Sequence, residues 1–172
     1  MTPAIDPALF RDAIGRFATG VTVMTTLHDG EPHGMTANAV SSVSLEPVLV
    51  LVCVDQGTEM CRLVRESGVF ALSILAAEQR DVSERFADPQ RPLGDEMFAG
   101  IGTTTGVTGS PILTGTLAHL DCRVWAIHPG GDHDIVVGEV VGVGVDDGRT
   151  GALTYFRSRY GSTVDGTGMQ AG

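Results

Sequence analysis

The chain has 172 residues and a mass of 18.0 kDa, the size of one domain, and at that size folding buries roughly 70% of the unfolded surface without help from disulfides or metal. Hydrophobic residues make up 42% and charged residues 19%, a globular and not a disordered composition. The formal net charge of −10 argues against a nucleic-acid or anionic-membrane surface, and the absence of any lysine among the 11 basic residues excludes Schiff-base and P-loop lysine chemistry.

Glycine is abundant, 23 residues with no fixed period, which suits a β-rich protein with many turns. The longest apolar run, Pro47 to Val54, is far too short to span a membrane. The N-terminal residues lack the basic-then-apolar pattern of a signal peptide. Cys53, Cys61 and Cys122 are odd in number and have no C-x-x-C spacing, so reduced thiols and a cytoplasmic location are expected.

In chain order, Asp6-Pro7 predicts a capped helix running to Gly20, with Phe10, Ala13, Ile14 and Phe17 as its apolar stripe. The β-branched run VTVMTTL, a turn at His28-Asp29-Gly30 and an extended stretch from Pro32 to about Leu45 follow. PVLVLVCV reads as a strand buried on both faces, with Cys53 in the core. Thr58 caps a short helix carrying Met60, Leu63 and Val64 that Gly68 stops. VFALSIL reads as a buried strand, and residues 77–87 as a more polar helix. The segment from Asp88 to Pro111 is rich in glycine and proline and reads as a long surface loop. Beyond it Ala118, Leu120, Cys122, Val124 and Ala126 alternate with polar or bulky residues as a half-buried strand. A glycine turn, PGGDHD, leads into DIVVGEVVGVGV, and Asp147-Gly148 marks a turn before ALTYF. About seven strands and three short helices without βαβ alternation predict a mainly β fold, a closed or partly closed antiparallel barrel with peripheral helices.

No metal-binding spacing, no G-x-S-x-G and no G-x-G-x-x-G following a strand are present, so metal, triad-hydrolase and Rossmann readings have no support. Two segments stand out. HGMTANAVSSVSL is dense in hydroxyls and amides just before the most apolar strand; it reads either as an edge strand or as the lining of a flat, hydrogen-bonding ligand. Gly131-Asp132-His133-Asp134 reads either as a solvated hairpin turn or as a functional tip. Spacing does not choose between these readings.

The stretches FRDAIGRFATGVTVMTT, HGMTANAVSSVSLEPVLVLVCVD, SGVFALSIL, GDHDIVVGEV and YFRSRY, in that order, resemble the short-chain flavin reductases, the reductase components of two-component flavin-dependent monooxygenases. The resemblance covers about residues 8–160. It implies one flavin reductase domain over 1–172, with a C-terminal tail at 161–172, a split β-barrel fold and a homodimer binding FMN or FAD near its interface. It further implies hydride transfer from NADH, with NADPH the less favoured donor because no arginine cluster accompanies the G-D-H segment. Such a transfer asks the two rings to stack with reacting atoms roughly 3–3.5 Å apart. Reduced flavin would then diffuse to a partner monooxygenase.

By the same resemblance, Thr36, Ala37 and Asn38 match the segment holding the flavin ring and ribityl chain, and Ser41, Ser42 and Ser44 the next lining residues. Cys53, Asp55 and Thr58 match the ribityl-phosphate region, with Thr58 at a helix N-terminus suited to an anion. Arg85 falls in the neighbourhood of a phosphate. His133 matches the histidine placed against the nicotinamide, the candidate catalytic residue, and Arg159 and Tyr160 lie near that same face. The chain departs from many relatives at residues 101–107, where Gly and Thr replace an aromatic, and at His119. A flavin carrier or sensor, or an oxidase of pyridoxine phosphate type on a related barrel, are the alternatives; retention of Gly131-Asp132-His133 favours the reductase.

Overall fold

The computed structural model describes residues 4–149 and 151–163; of the C-terminal tail expected from residue 161, residues 164–172 lie outside the described residues. Helix α1 (Pro7–Ile14) begins as expected, with the Asp6 carboxylate accepting the Ala8 N–H at 2.9 Å and Pro7 in the first turn. It ends earlier than its apolar stripe predicts. The Arg157 N–H donates to the Gly15 carbonyl at 2.7 Å, and the chain leaves the helix for β1 (Thr19–Gly20), whose partner is another distant segment. That long-range pairing overrides the local helical period.

β2 (Thr22–His28) and β3 (Glu31–Ala37) form a hairpin around Asp29 and Gly30, both at positive φ (51° and 82°), the backbone a tight two-residue turn requires. The extended stretch expected through Leu45 is broken: β3 stops at Ala37 and β4 (Val40–Leu45) pairs instead with β5 (Val48–Asp55). Helix α2 (Glu59–Ser67) starts on the Thr58 cap and stops at Gly68, which takes φ 70°. β6 (Val69–Ile74) and α3 (Arg80–Ala87) follow.

The expected surface loop is not structureless. It contains a 3-10 turn (Gly94–Phe98) and β7 (Thr103–Thr105), which pairs with β8 (Pro111–Leu113), and its Met97 is fully buried. A lone Met in a polar stretch leaves no periodic trace, so the sequence hides this anchor. β9 (Ala118–Gly130) and β10 (His133–Val145) make a long hairpin closed by only Gly131 and Asp132, a tighter turn and a longer first strand than expected. β11 (Leu153–Phe156) and β12 (Arg159–Ser162) complete the chain's described strands.

The main sheet is antiparallel throughout, in the order β3-β2-β6-β9-β10-β5-β4. Its two outer strands, β3 and β4, are sequence neighbours yet not paired with each other, which is the split in the barrel. One core cluster lies inside it, with Val50, Val52, Val54, Phe70 and Val136 against Met60 and Val64 of α2. A second joins Val21, Val23, Leu75, Phe86, Met97 and Leu153.

β5 is not buried on both faces: Val50, Val52 and Val54 enter the core while Leu49, Leu51 and Cys53 are only half-buried on the other side, so Cys53 is a groove residue. On β9, Asp121 is buried beside Cys122, opposite a register shift between Val140 and Gly142 of β10, and its carboxylate accepts the Thr108 N–H at 2.9 Å. Within the chain, α1 buries no residue, and Leu9, Phe10, Ile14 and Phe17 remain exposed.

Candidate functional site

A cleft of about 420 Å³ opens between β3, α3 and the β11–β12 hairpin. Thr36, Asn38, Thr58 and Tyr160, far apart in sequence, all line it, together with Met35, Phe86, Arg91 and Tyr155. Asn38 and Tyr155 also line an adjoining groove of about 520 Å³ that holds Ser41 and Cys53, so the two spaces are continuous.

The wall of the cleft is built from β3. Gly34 has no side chain because the Phe86 ring lies there: a Cβ on Gly34 would stand 2.5 Å from Phe86 Cε1. Phe86 in turn packs against Phe98 with ring centroids 5.2 Å apart. Thr36 donates its hydroxyl to the Ser83 carbonyl at 2.7 Å, and the Ser83 hydroxyl meets the Tyr160 hydroxyl at 2.9 Å. Tyr160 is also edge-on to Tyr155 at 5.3 Å, and the Arg80 guanidinium stands 5.4 Å from its ring centre. Ala37 is buried, with its carbonyl accepting the Thr22 hydroxyl at 2.7 Å. The Asn38 amide donates to the Thr19 hydroxyl at 3.3 Å, at the break between β3 and β4.

The cation of the cleft is Arg91, not Arg85. Arg85 donates to the Ala99 carbonyl and fixes the segment after the 3-10 turn. Arg91 donates to the Gly34 carbonyl at 3.2 Å and the Asp88 carbonyl at 2.8 Å, and burial lowers its pKa from the usual arginine value. Its Nη2 stands 3.4 Å from Nε2 of the buried His33. Burial first, and the neighbouring Arg91 charge second, push the His33 pKa down to about 4, so its imidazole is neutral and accepts from the guanidinium.

Asp55 is a turn residue: its carboxylate accepts the Gly57 N–H at 2.7 Å and its carbonyl the Thr58 hydroxyl at 2.7 Å, aligning the α2 N-terminus with the cleft. Ser42 and Ser44 line neither space; Ser44 accepts the Glu46 N–H at 3.2 Å. Arg159 is absent from the cleft lining and lines a neighbouring groove that shares Tyr160 with the cleft.

His133 stands at the hairpin tip in register with Asp55, outside the cleft lining, with Nδ1 2.8 Å from the Asp132 carboxylate. That contact holds the Asp132 carboxyl below the usual range. Beneath the tip, the Asp134 side chain is 1% exposed and accepts from Gln56 Nε2 at 3.0 Å, the Cys61 thiol at 3.0 Å and Arg65 Nε at 2.7 Å. The Cys61 contact, then Gln56 and Arg65, lower the Asp134 pKa, while burial and Asp134 raise that of Cys61. Gln56 also donates from its backbone to the Asp132 carbonyl at 3.0 Å. This network ties the histidine-bearing tip to the turn that ends in Thr58.

Sequence reasoning missed Arg91, Ser83 and Asp134. Two had a local signal: Ser83 shares a helix face with Phe86, and Asp134 alternates with the buried Val136; Arg91 is brought back by a turn over Asp88–Arg91, closed by its own N–H on the Asp88 carbonyl at 3.2 Å.

The residues fit a flat heteroaromatic ring with a phosphate-bearing tail. Aromatic and thioether side chains offer faces, the hydroxyls of Thr36 and Thr58 line one side, and Arg91 with the α2 N-terminus offers positive charge. β4 is an outer strand, so its alternate backbone N–H groups away from β5 are available to a ring's carbonyl edge. Such a cleft on a split antiparallel barrel suits a flavin-handling oxidoreductase.

Residues 14–163 match the flavin reductase like domain. The chain is 41% identical over 160 residues to the reductase subunit HsaB of a flavin-dependent monooxygenase from Rhodococcus jostii, covering 91% of this chain and 78% of that protein. It is 42% identical over 137 residues to an NADH-dependent FAD reductase of Streptomyces globisporus, covering 79% and 75%. Among solved structures, BorF, the flavin reductase component of a bacterial two-component tryptophan halogenase, superposes with a TM-score of 0.88 at 39% identity over 93% of this chain and 99% of that one. The Streptomyces globisporus NADH:FAD oxidoreductase in complex with NAD and FAD fragments gives 0.86 at 34% identity, over 96% and 99%. The chain belongs to the flavin reductase like family.

Proposed function

We propose that the cleft and its adjoining groove hold FMN or FAD, with Thr36, Ala37, Asn38 and Ser41 along the ring and Thr58 and Arg91 at the first phosphate, and that His133 faces the nicotinamide of NADH. The reaction is reduction of the flavin by the nicotinamide nucleotide. The flavin supplies the hydride acceptor; no protein base is needed to move a proton in that step. The residues here bind and orient. Tyr160 and Tyr155 close one face, neutral His33 steers the Arg91 guanidinium, and the β4 backbone N–H groups favour negative charge on the adjacent ring edge.

The observation that carries this reading is the convergence of Thr36, Asn38, Thr58 and Tyr160 on one cleft beside an unpaired sheet edge. Supply of reduced flavin to a monooxygenase follows the roles of the relatives, among them the HsaB reductase subunit. The exposed apolar stripe on α1 supports a homodimer, and three free cysteines suit a reducing cytoplasm. No helix among the described residues is long and apolar enough to cross a membrane.

Anaerobic mixing with FMN or FAD and NADH is expected to bleach the flavin band, and in air NADH oxidation is expected to continue until NADH is exhausted. NADH oxidation at the enzyme-free rate with both flavins would reject the assignment.

A further inference from the structure

Along β10 the buried positions alternate, and Asp134, Val136 and Gly138 are the core side of its first half. The first of these is a carboxylate. A carboxylate removed from water costs stability unless its oxygens are bonded, and an apolar residue at such a position often serves a core as well or better. Asp134 is 0% exposed, and its two oxygens are shared among three groups from elsewhere in the chain. Oδ1 accepts from Gln56 Nε2 at 3.0 Å, and Oδ2 accepts from the Cys61 thiol at 3.0 Å and Arg65 Nε at 2.7 Å. What this carboxylate adds over a valine is position, not burial.

The groups it holds lie between the two ligand ends. Cys61 and Arg65 belong to α2, whose N-terminal cap, Thr58, lines the cleft. Gln56 belongs to the turn between β5 and α2, where the Thr58 N–H and hydroxyl both donate to the Asp55 carbonyl, at 3.1 and 2.7 Å. From that turn Gln56 reaches the β9–β10 tip twice more. Its backbone N–H donates to the Asp132 carbonyl at 3.0 Å, and Nε2 donates to the His133 carbonyl at 3.3 Å. Gln56 is itself exposed, so without Asp134 its side chain has water as an equal partner. The carboxylate is what orients it across the tip.

We propose that Asp134 is a positioning residue that couples the two ligands: through Gln56 it makes a phosphate at Thr58 and a nicotinamide at His133 favour each other's binding. This rests on the reading that the flavin phosphate lies at Thr58 and the nicotinamide at His133. An anion on the Thr58 turn steadies Gln56, and Gln56 steadies the backbone that carries His133, so the cost of ordering is met once for both ligands. Such coupling is reciprocal, and it disappears when the flavin carries no phosphate.

Flavin fluorescence titrations of the intact protein give the Kd of FMN and of riboflavin, each with and without excess NAD⁺, which leaves the flavin oxidised. NAD⁺ is expected to tighten FMN about fivefold and riboflavin not at all. In Gln56→Ala, and in Asp134→Asn, whose single amide oxygen cannot serve Gln56 and Arg65 together, the ratio of FMN affinities with and without NAD⁺ is expected to fall to about one. That ratio is internal to each protein: a variant that is only loosened weakens FMN alike in both titrations and keeps it. Gln56 is exposed, and its variant decides the matter if Asp134→Asn does not fold. No effect of NAD⁺ on FMN in the parent, an equal effect on riboflavin, or a ratio retained in either folded variant overturns the proposal. A parent that binds neither flavin, or a His133→Ala variant that keeps the NAD⁺ effect, defeats the reading of cleft and rim, and the proposal falls with it. Flavin binding without coupling defeats the proposal alone.

Discussion

On the β3–α3 wall, Gly34, Thr36, Phe86 and Tyr160 are each fixed by a partner from another element, whereas at the β9–β10 tip the ring of His133 has its one hydrogen-bond partner among the described residues in its neighbour Asp132. The wall belongs to a hydrophobic cluster; the tip is exposed and is anchored from below by one buried carboxylate, Asp134. The difference separates two tasks. A flat ring held against a preformed wall needs no rearrangement to bind, and rigid packing supplies that. A second ligand that must arrive and leave each turnover is better met by a residue at an open rim, whose backbone is fixed and whose side chain is free.

The contrast breaks most easily at Phe86. Phe86→Ala removes a fully buried ring from between β3 and the 3-10 turn, and a loss of about 3–5 kcal/mol is expected. Urea denaturation measures it; a loss below about 1 kcal/mol would mean that the wall does not depend on its core. Next comes acid. His33 has a pKa of about 4 in the fold against 6.5 in the unfolded chain. Between those values the unfolded state binds the extra proton, so stability falls as pH drops from about 6.5 to about 4, by on the order of 3 kcal/mol in all. Urea midpoints across that range, compared with His33→Gln, isolate the contribution. An equal acid dependence in the variant would assign the loss to other groups. In the folded protein His33 takes its proton only at about pH 4, so a change in flavin affinity from a second cation beside Arg91 is expected there and not at about pH 6.

Much of the frame is legible in the sequence because its signals are local. Asp6-Pro7 and Thr58 start helices, Gly68 ends one, and Asp29-Gly30 turns a hairpin, each through chemistry confined to a few residues. What is not legible depends on distant partners. α1 stops where Arg157 takes the Gly15 carbonyl, and Met97 is buried because Gly34 leaves its N–H 3.1 Å from the sulfur. The site divides in the same way. Thr36, Asn38, Thr58 and Tyr160 follow from residue matches to a family, and the fold brings them together. The choice of Arg91 over Arg85 follows from the route of the chain after α3, which composition does not encode. Asp134 was readable: alternation with Val136 puts it on the core face of β10, where a carboxylate needs partners.

The smallest effect on stability is expected at His133, and it carries the sharpest test of the open rim. Its side chain is 42% exposed and its one side-chain hydrogen bond among the described residues is with Asp132, itself 90% exposed, so His133→Ala is expected to change stability by no more than about 0.5 kcal/mol. The backbone of the tip stays in place, because Gln56 holds the Asp132 and His133 carbonyls and Asp134 holds Gln56. Flavin affinity is expected to persist, since His133 is absent from the lining of both flavin spaces. The nicotinamide, however, loses a positioning contact of about 1–3 kcal/mol, so kcat/KM for NADH is expected to fall roughly ten- to a hundredfold. Stopped-flow reduction over a range of NADH concentrations separates binding from geometry: a raised KM alone means lost affinity, and a lowered limiting rate means disturbed stacking. Unchanged reduction at every concentration would return His133 to the role of a solvated turn residue. Loss of flavin affinity instead would place it on the flavin's side of the cleft, and the rim would then belong to the wall.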